Sequence, residues 1–200
     1  DGAVSGGRCL GKSGGRQGSL LASRATLKGD LIEVRALPDA GEDVLFRIAG
    51  DLSTWEERGP ASPGPLTLAA YRARVAAGAT DTDTIFMIDT EGRAVGQCSL
   101  FHEDTLSRHA EVGIVLLPEE RSRGYGTEAI RLAVEFAFVR RNLRRVYLWV
   151  LATNTGGLAC YRKAGFVEEG RHREHCWVRG RYEDEVAMGL LRSDWERNRP

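Results

Sequence analysis

The chain has 200 residues and a formal net charge of +0, room for one domain with a real core and no global pull toward nucleic acid or an anionic membrane. Its four cysteines, Cys9, Cys98, Cys160 and Cys176, include no CxxC pair, which argues against a zinc knuckle or a disulfide scaffold and leaves a reducing cytoplasm as the expected setting. The longest apolar runs, such as VYLWVLA from Val146, are too short to span a bilayer, and no charged segment followed by an apolar run opens the sequence as a secretory signal would.

Residues 1–29 are dominated by Gly with Ser, Arg and Lys, the composition of a flexible tail. Within them Gly6–Ser13, GGRCLGKS, fits the phosphate-loop pattern G-x-x-x-x-G-K-[ST]. That pattern works only between a buried strand and a helix. The five preceding residues, DGAVS, are too few for such a strand, and the following GGRQGS is a poor helix starter. The match is read as chance, with a nucleotide binder kept as the alternative.

A single domain is expected over 30–195, with 196–200 as a tail. Leu31–Leu37 alternates like a strand, and Pro38 and Asp39 open a helical stretch toward Ile48. Arg58–Pro65, RGPASPGP, is a loop, and a helix runs from Thr67 to a stop at Gly78. Thr84–Phe101 reads as two strands around Glu91-Gly92, and Ala110–Leu117 as a third. A helix from about Gly126 to Arg140 carries an apolar stripe of Ile130, Ala133, Val134 and Ala137, with Glu128, Arg131 and Glu135 outward. Arg145–Val150 has the near-continuous apolar character of a strand covered on both faces. Thr155–Ala164 is a short helix stopped by Gly165, and a hairpin through Arg179-Gly180 closes the chain. Interleaved strands and helices predict an α+β (mixed α/β) fold on a mixed sheet.

The segment RSRGYGT, Arg121–Thr127, sits between a strand and a helix start. Helix starts leave backbone N–H groups unpaired and carry partial positive charge, and glycines let an anion approach them. Arg121 and Arg123 add charge. Two readings stay open on spacing alone: a phosphate site, or a plain glycine turn with solvated arginines.

At this point EVGIVLLPEERSRGYGTEAIRLAVEFAF resembles motif A of the GNAT superfamily of acyl-CoA-dependent N-acetyltransferases, whose Q/R-x-x-G-x-G/A pattern is met by Arg121, Gly124 and Gly126. NTGGLACYRKAGF resembles motif B through Asn154, Tyr161, Lys163, Gly165 and Phe166. The ending from Glu169 resembles the RimJ/RimL-like branch of ribosomal-protein N-terminal and spermidine acetyltransferases. The resemblance covers about residues 31–193. It implies a mostly antiparallel mixed sheet of six to seven strands, helices on both faces, a splayed central strand pair, and acetyl-CoA as cosubstrate in the opening, with no metal. Ser122 stands where the family often has glycine, and Gly156 and Gly157 replace better helix formers.

The resemblance assigns the pyrophosphate to Arg121, Ser122, Arg123, Gly124, Tyr125, Gly126 and Thr127. It gives the pantetheine and thioester to the backbone of Ile114, Val115 and Leu116, with Asn154, Tyr161 and Lys163 completing the cofactor side. Asn154 could equally be a helix cap. Tyr161 is the expected general acid toward the leaving sulfur, against a packing role for its ring. Glu111, an acid among apolar strand neighbours on one face with Gly113 and Val115, is the candidate base, against a plain ion pair. Trp55, Glu56 and His175 are candidates for the acceptor side, with a solvated helix end as the bland reading of the first two. His172, His175 and Cys176 are expected to alternate between strand faces and lack zinc-ligand spacing. The arginines at 140, 141, 144 and 145 read as a helix terminus rather than a nucleic-acid patch. The expected partner is a peptide or small-molecule amine, without nucleic acid or membrane, and a homodimer is the candidate assembly. The rival to an enzyme is a non-catalytic acyl-CoA-binding module on the same fold.

Overall fold

The computed structural model describes residues 26–36, 42–57, 67–78 and 83–199. The GGRCLGKS motif and the loop Arg58–Pro65 lie outside them.

Eight strands form one sheet: β1 (Thr26–Lys28), β2 (Glu33–Ala36), β3 (Thr84–Thr90), β4 (Arg93–Asp104), β5 (His109–Leu116), β6 (Arg145–Leu151), β7 (Val167–Val178) and β8 (Arg181–Leu191). Their order is β1-β2-β3-β4-β5-β6-β8-β7. Only β5 and β6 are parallel neighbours; the other pairs are antiparallel. The helices are α1 (Glu42–Gly50), α2 (Leu52–Glu57), α3 (Leu68–Gly78), α4 (Tyr125–Glu135), α5 (Thr155–Lys163) and α6 (Arg192–Arg197). The sheet exceeds the expected six to seven strands because Thr26–Lys28, read as tail, pairs with β2. At the other end α6 runs through the expected boundary at 195. Three residues of a strand and six of a helix are too few for periodicity to reveal them.

Alternation sorts each strand between two layers. On one face Val34, Phe86, Ile88, Cys98, Leu100, Val112, Val146, Leu148 and Met188 meet the α4 stripe of Ile130, Ala133 and Val134, continued by Ala137 and Phe138, and Leu158 and Phe166 around α5. On the other face α1 packs Val44 and Ile48 against Val115 and Leu117, and Leu45 and Ala49 join Tyr71 of α3 over Met87. That second layer ends near β5. Trp149 of β6 is 37% exposed, so β6 is covered on one face rather than two. Five residues after α4, Phe136–Arg140, continue it as a wider π-type turn.

Glu128 does not simply face outward: its carboxylate accepts the backbone N–H groups of Asp30 and Leu31, at 2.9 Å for Leu31, holding the β1–β2 turn against the start of α4. The arginine cluster after α4 is absorbed locally, Arg141 on Glu103 at 2.8 Å, Arg144 on the Ser107 carbonyl at 3.0 Å and Arg145 on Glu169.

Candidate active site

β5 and β6 pair at only three positions, His109↔Arg145, Ala110↔Val146 and Glu111↔Tyr147. Beyond Glu111 the two strands part, and the β6-facing edge of Gly113–Leu116 carries no strand partner. Parallel strands that diverge must leave backbone groups of both free for something else. The opening is flanked by the start of α4 on one side and by α5 on the other.

The turn into α4 is built from left-handed backbone at Ser122 (φ 62°) and Gly124 (φ 89°). Gly124 is the N-cap, and no side chain caps α4. The first amides of an eleven-residue helix therefore face the opening with the positive end of its dipole. Arg121 is not a loose charge at the mouth: it donates to the Thr54 hydroxyl at 2.9 Å and the Leu116 carbonyl at 3.4 Å, tying the loop to α2 and the end of β5. Below the loop the buried Glu120 carboxylate gathers Arg93 at 2.5 Å and Arg123 at 3.5 Å. The Arg93 guanidinium holds the Glu120 carboxyl below the usual carboxylate range. Further in, the Thr127 hydroxyl reaches Cys160 at 3.6 Å. Gly126 has Cys160, Leu116 and Ile114 around it at ordinary contact distance.

Asn154 caps α5, its side-chain oxygen accepting the Gly157 amide at 2.8 Å. The cap reading of this residue is thus realised, and its amide nitrogen is a further donor. Any side chain at Gly157 would press on Asn154 at 3.0 Å, which accounts for a glycine inside the first turn. Tyr161, further along α5, is buried edge-on to Phe166. Burial first, then the neighbouring Cys160, Cys98 and Glu111, pushes its phenol above the ordinary value, so it stays protonated. Lys163 ends α5 exposed, and its carbonyl accepts Arg131 at 2.8 Å.

On the opposite face of the sheet Glu111 is half-buried and hydrogen-bonds His102 Nδ1 at 3.1 Å. Burial raises its carboxyl; the bond to His102 partly offsets this, and Glu185 raises it again. Tyr147, its register partner on β6, is also raised, by burial first and then by the Glu111 charge. Beside them Trp149 lies 4.7 Å from the His172 ring, and His172 lies 5.1 Å from His175. The expected alternation of these histidines fails. The β7–β8 register shifts between His172 and Cys176, and this bulge turns both rings to one face near Glu185. Glu56 of α2 reaches across to Arg179 in the β7–β8 turn at 2.6 Å. The Trp55 side chain lies outside the described residues.

The Acetyltransferase (GNAT) domain family matches residues 32–167. The chain belongs to that family. Among GNAT relatives, the spermidine N(1)-acetyltransferase of Vibrio cholerae serotype O1 is 32% identical over 107 residues, 54% of this chain and 62% of that protein. YdaF of Bacillus subtilis (strain 168), provisionally named a ribosomal N-acetyltransferase, is 33% identical over 106 residues, 53% of this chain and 58% of that protein. The chain thus spans about 60% of the length of these curated relatives. A crystal structure of spermidine N-acetyltransferase from Vibrio cholerae in complex with CoA and spermine superimposes with a TM-score of 0.78 at 23% identity, over 84% of this chain and 99% of that one, which is a likeness of fold.

The GNAT geometry brings together most of the residues singled out in the sequence. The stretch from Ile114 to Thr127 runs from the edge of β5 into the start of α4, which meets α5 at Thr127 and Cys160; Asn154 caps α5, Tyr161 lies on it inside the core, and Lys163 sits at its far end. Glu111 lies where the strands part, and Glu56 and His175 border the open face. Sequence reading missed His102, Tyr147, Trp149 and Glu185. Tyr147 and Trp149 carried a signal, since alternation puts them on the face opposite Val146 and Leu148. His102 and Glu185 carried none, because a bulge in β4 and the pairing of distant strands place them. Among the described residues, no helix is long and apolar enough to cross a membrane.

Proposed function

We propose that the chain is an acetyl-CoA-dependent N-acetyltransferase that acetylates a primary amine by direct attack in a ternary complex. The observation that carries the reading is the parting of β5 and β6 at Glu111↔Tyr147, with an uncapped helix start on one side and a half-buried carboxylate at the apex. The α4 amides and Arg123 receive the cofactor pyrophosphate. The β6-facing backbone edge from Ile114 to Leu116, which has no strand partner, lies along the pantetheine, and one of its amides meets the thioester oxygen as the tetrahedral intermediate forms. The Asn154 amide nitrogen bonds the pantetheine arm while its oxygen keeps the helix cap.

A cationic amine must lose a proton before it attacks. A carboxylate raised by burial is a stronger base than a solvated one, so Glu111 suits that step, and His102 links it to solvent. The new C–N bond forms, the C–S bond breaks, and coenzyme A leaves as a thiolate that ends as the thiol. Because the Tyr161 phenol is raised well above a thiol, full proton transfer from it is uphill. Its role is to donate a hydrogen bond to the developing sulfur anion, with the proton itself arriving from solvent or from the amine. The three described cysteines, Cys98, Cys160 and Cys176, are free, which fits a reducing cytoplasm.

The acceptor is a polyamine or a peptide α-amine; the relatives named above point to one and the other. Thiol release from acetyl-CoA with spermidine, spermine, small peptides and aminoglycosides in parallel tests the reading. Saturable, amine-dependent release is expected from at least one class. Tight acetyl-CoA binding with no amine-dependent release would leave an acyl-CoA-binding module instead.

A further inference from the structure

We propose that His172, His175 and Glu185 form a three-ligand site for a divalent first-row transition metal, with Zn2+ as its typical occupant. One ligand atom from each lies within 4.8 Å of the other two. Imidazole nitrogen and carboxylate oxygen suit Zn2+, and two histidines with one glutamate leave a fourth position for water. Tetrahedral ligands at Zn–N distances of about 2.0–2.1 Å stand roughly 3.4 Å apart, so the widest donor pair must close by up to about 1.4 Å. The half-exposed His175 ring can turn that far.

The arrangement is held by the backbone rather than by chance side-chain rotamers. Glu174, between the histidines, sits in the left-handed region at φ 50°. Its amide donates to Asp184 at 2.9 Å, on the opposite face of β8 from Glu185, and Arg171 joins the same carboxylate at 3.4 Å. This pins the bulge that turns both imidazoles to one side. Trp149 backs the His172 ring at 4.7 Å.

Glu185 supplies the independent argument. Its side chain is only 9% exposed, and its ion-pair partner among the described residues is His175 at 3.6 Å, a group charged only when protonated. A buried carboxylate facing two imidazoles lacks a permanent cation, and a dication supplies one.

The test is calorimetric titration of ZnCl2 into untagged protein stripped of metal, without cofactor or amine. One Zn2+ per chain is expected. His172→Ala and His175→Ala, both surface changes, should each weaken binding at least about tenfold, as losing even an outer-shell partner can. The His102→Ala/His109→Ala double variant should retain wild-type affinity. Co2+ in place of Zn2+ should give visible d–d bands without a sulfur-to-cobalt charge-transfer band. Absence of saturable binding, full affinity in a His172→Ala/His175→Ala variant of native circular dichroism, or a thiolate charge-transfer band would each overturn the site.

Discussion

On the proposed cofactor side of the β5–β6 opening the groups on offer are backbone ones. The unpaired edge of β5, the left-handed turn at Ser122 and Gly124 and the uncapped start of α4 come from one stretch of sequence. On the acceptor side the groups are side chains gathered from four distant segments: Glu56 on α2, His102 on β4, Tyr147 and Trp149 on β6, and His172, His175 and Glu185 on the closing hairpin. A backbone site needs only glycines and a helix start in the right order, so it can be held by a short motif. A side-chain site depends on registers and bulges, so it can change its amine while the sheet stays fixed.

That difference can be broken first at the apex, where the two sides meet. Glu111→Gln should cut turnover about 100-fold at neutral pH, the scale of a lost general base, and recover partly at high pH where the amine deprotonates unaided. An equal loss at every pH would assign Glu111 to positioning. Next comes the loop. Gly124 stands at φ 89°, where a side chain is strained by about 1–2 kcal/mol, and a Cβ there would also press on Leu31. Gly124→Ala should weaken acetyl-CoA binding about tenfold by calorimetry, on that strain. Gly126→Ala, with ordinary space around its Cβ, should leave affinity within about threefold and gain helix propensity of up to about 1 kcal/mol. Equal losses at the two glycines would remove the backbone account of the loop.

A smaller effect is expected at His102. Its hydrogen bond to Glu111 lowers a carboxyl that burial has raised. The base works as the carboxylate, so activity falls as pH drops through that raised value. His102→Ala removes the lowering contribution and should move the acid limb of kcat, with both substrates saturating, to higher pH. A limb that stays in place or moves down would detach His102 from the base. The smallest effect belongs to the Glu56–Arg179 pair, which joins α2 to the hairpin at the surface. Arg179→Ala should change stability by less than about 1 kcal/mol while altering the KM for the amine more than that for acetyl-CoA.

The same contrast explains what the sequence could reveal. Gly124 and the apolar stripe of Ile130, Ala133 and Val134 announce a helix start and its buried face within a dozen residues, because both signals are local. Glu111 was visible as an acid among apolar neighbours. Trp149 was visible too, yet nothing in RVYLWV says that the layer of helices stops short of β6. The pairing of His172 with His175 was hidden because two extra residues in β7 between His172 and Cys176 break the expected alternation, and no residue type marks that bulge. Thr26–Lys28 was lost in a glycine-rich run whose composition outweighs a three-residue pairing.

The central claim is that the β5–β6 opening carries out acetyl transfer, with the Tyr161 hydroxyl donating to the leaving sulfur. The most direct test measures turnover and acetyl-CoA affinity together in Tyr161→Phe. The ring still fills its place against Phe166, so affinity and melting temperature should hardly move, while turnover falls about 100-fold, the scale of a lost hydrogen-bond donor to developing charge. Near-wild-type turnover in a folded Tyr161→Phe protein would contradict the account and leave Tyr161 as packing alone.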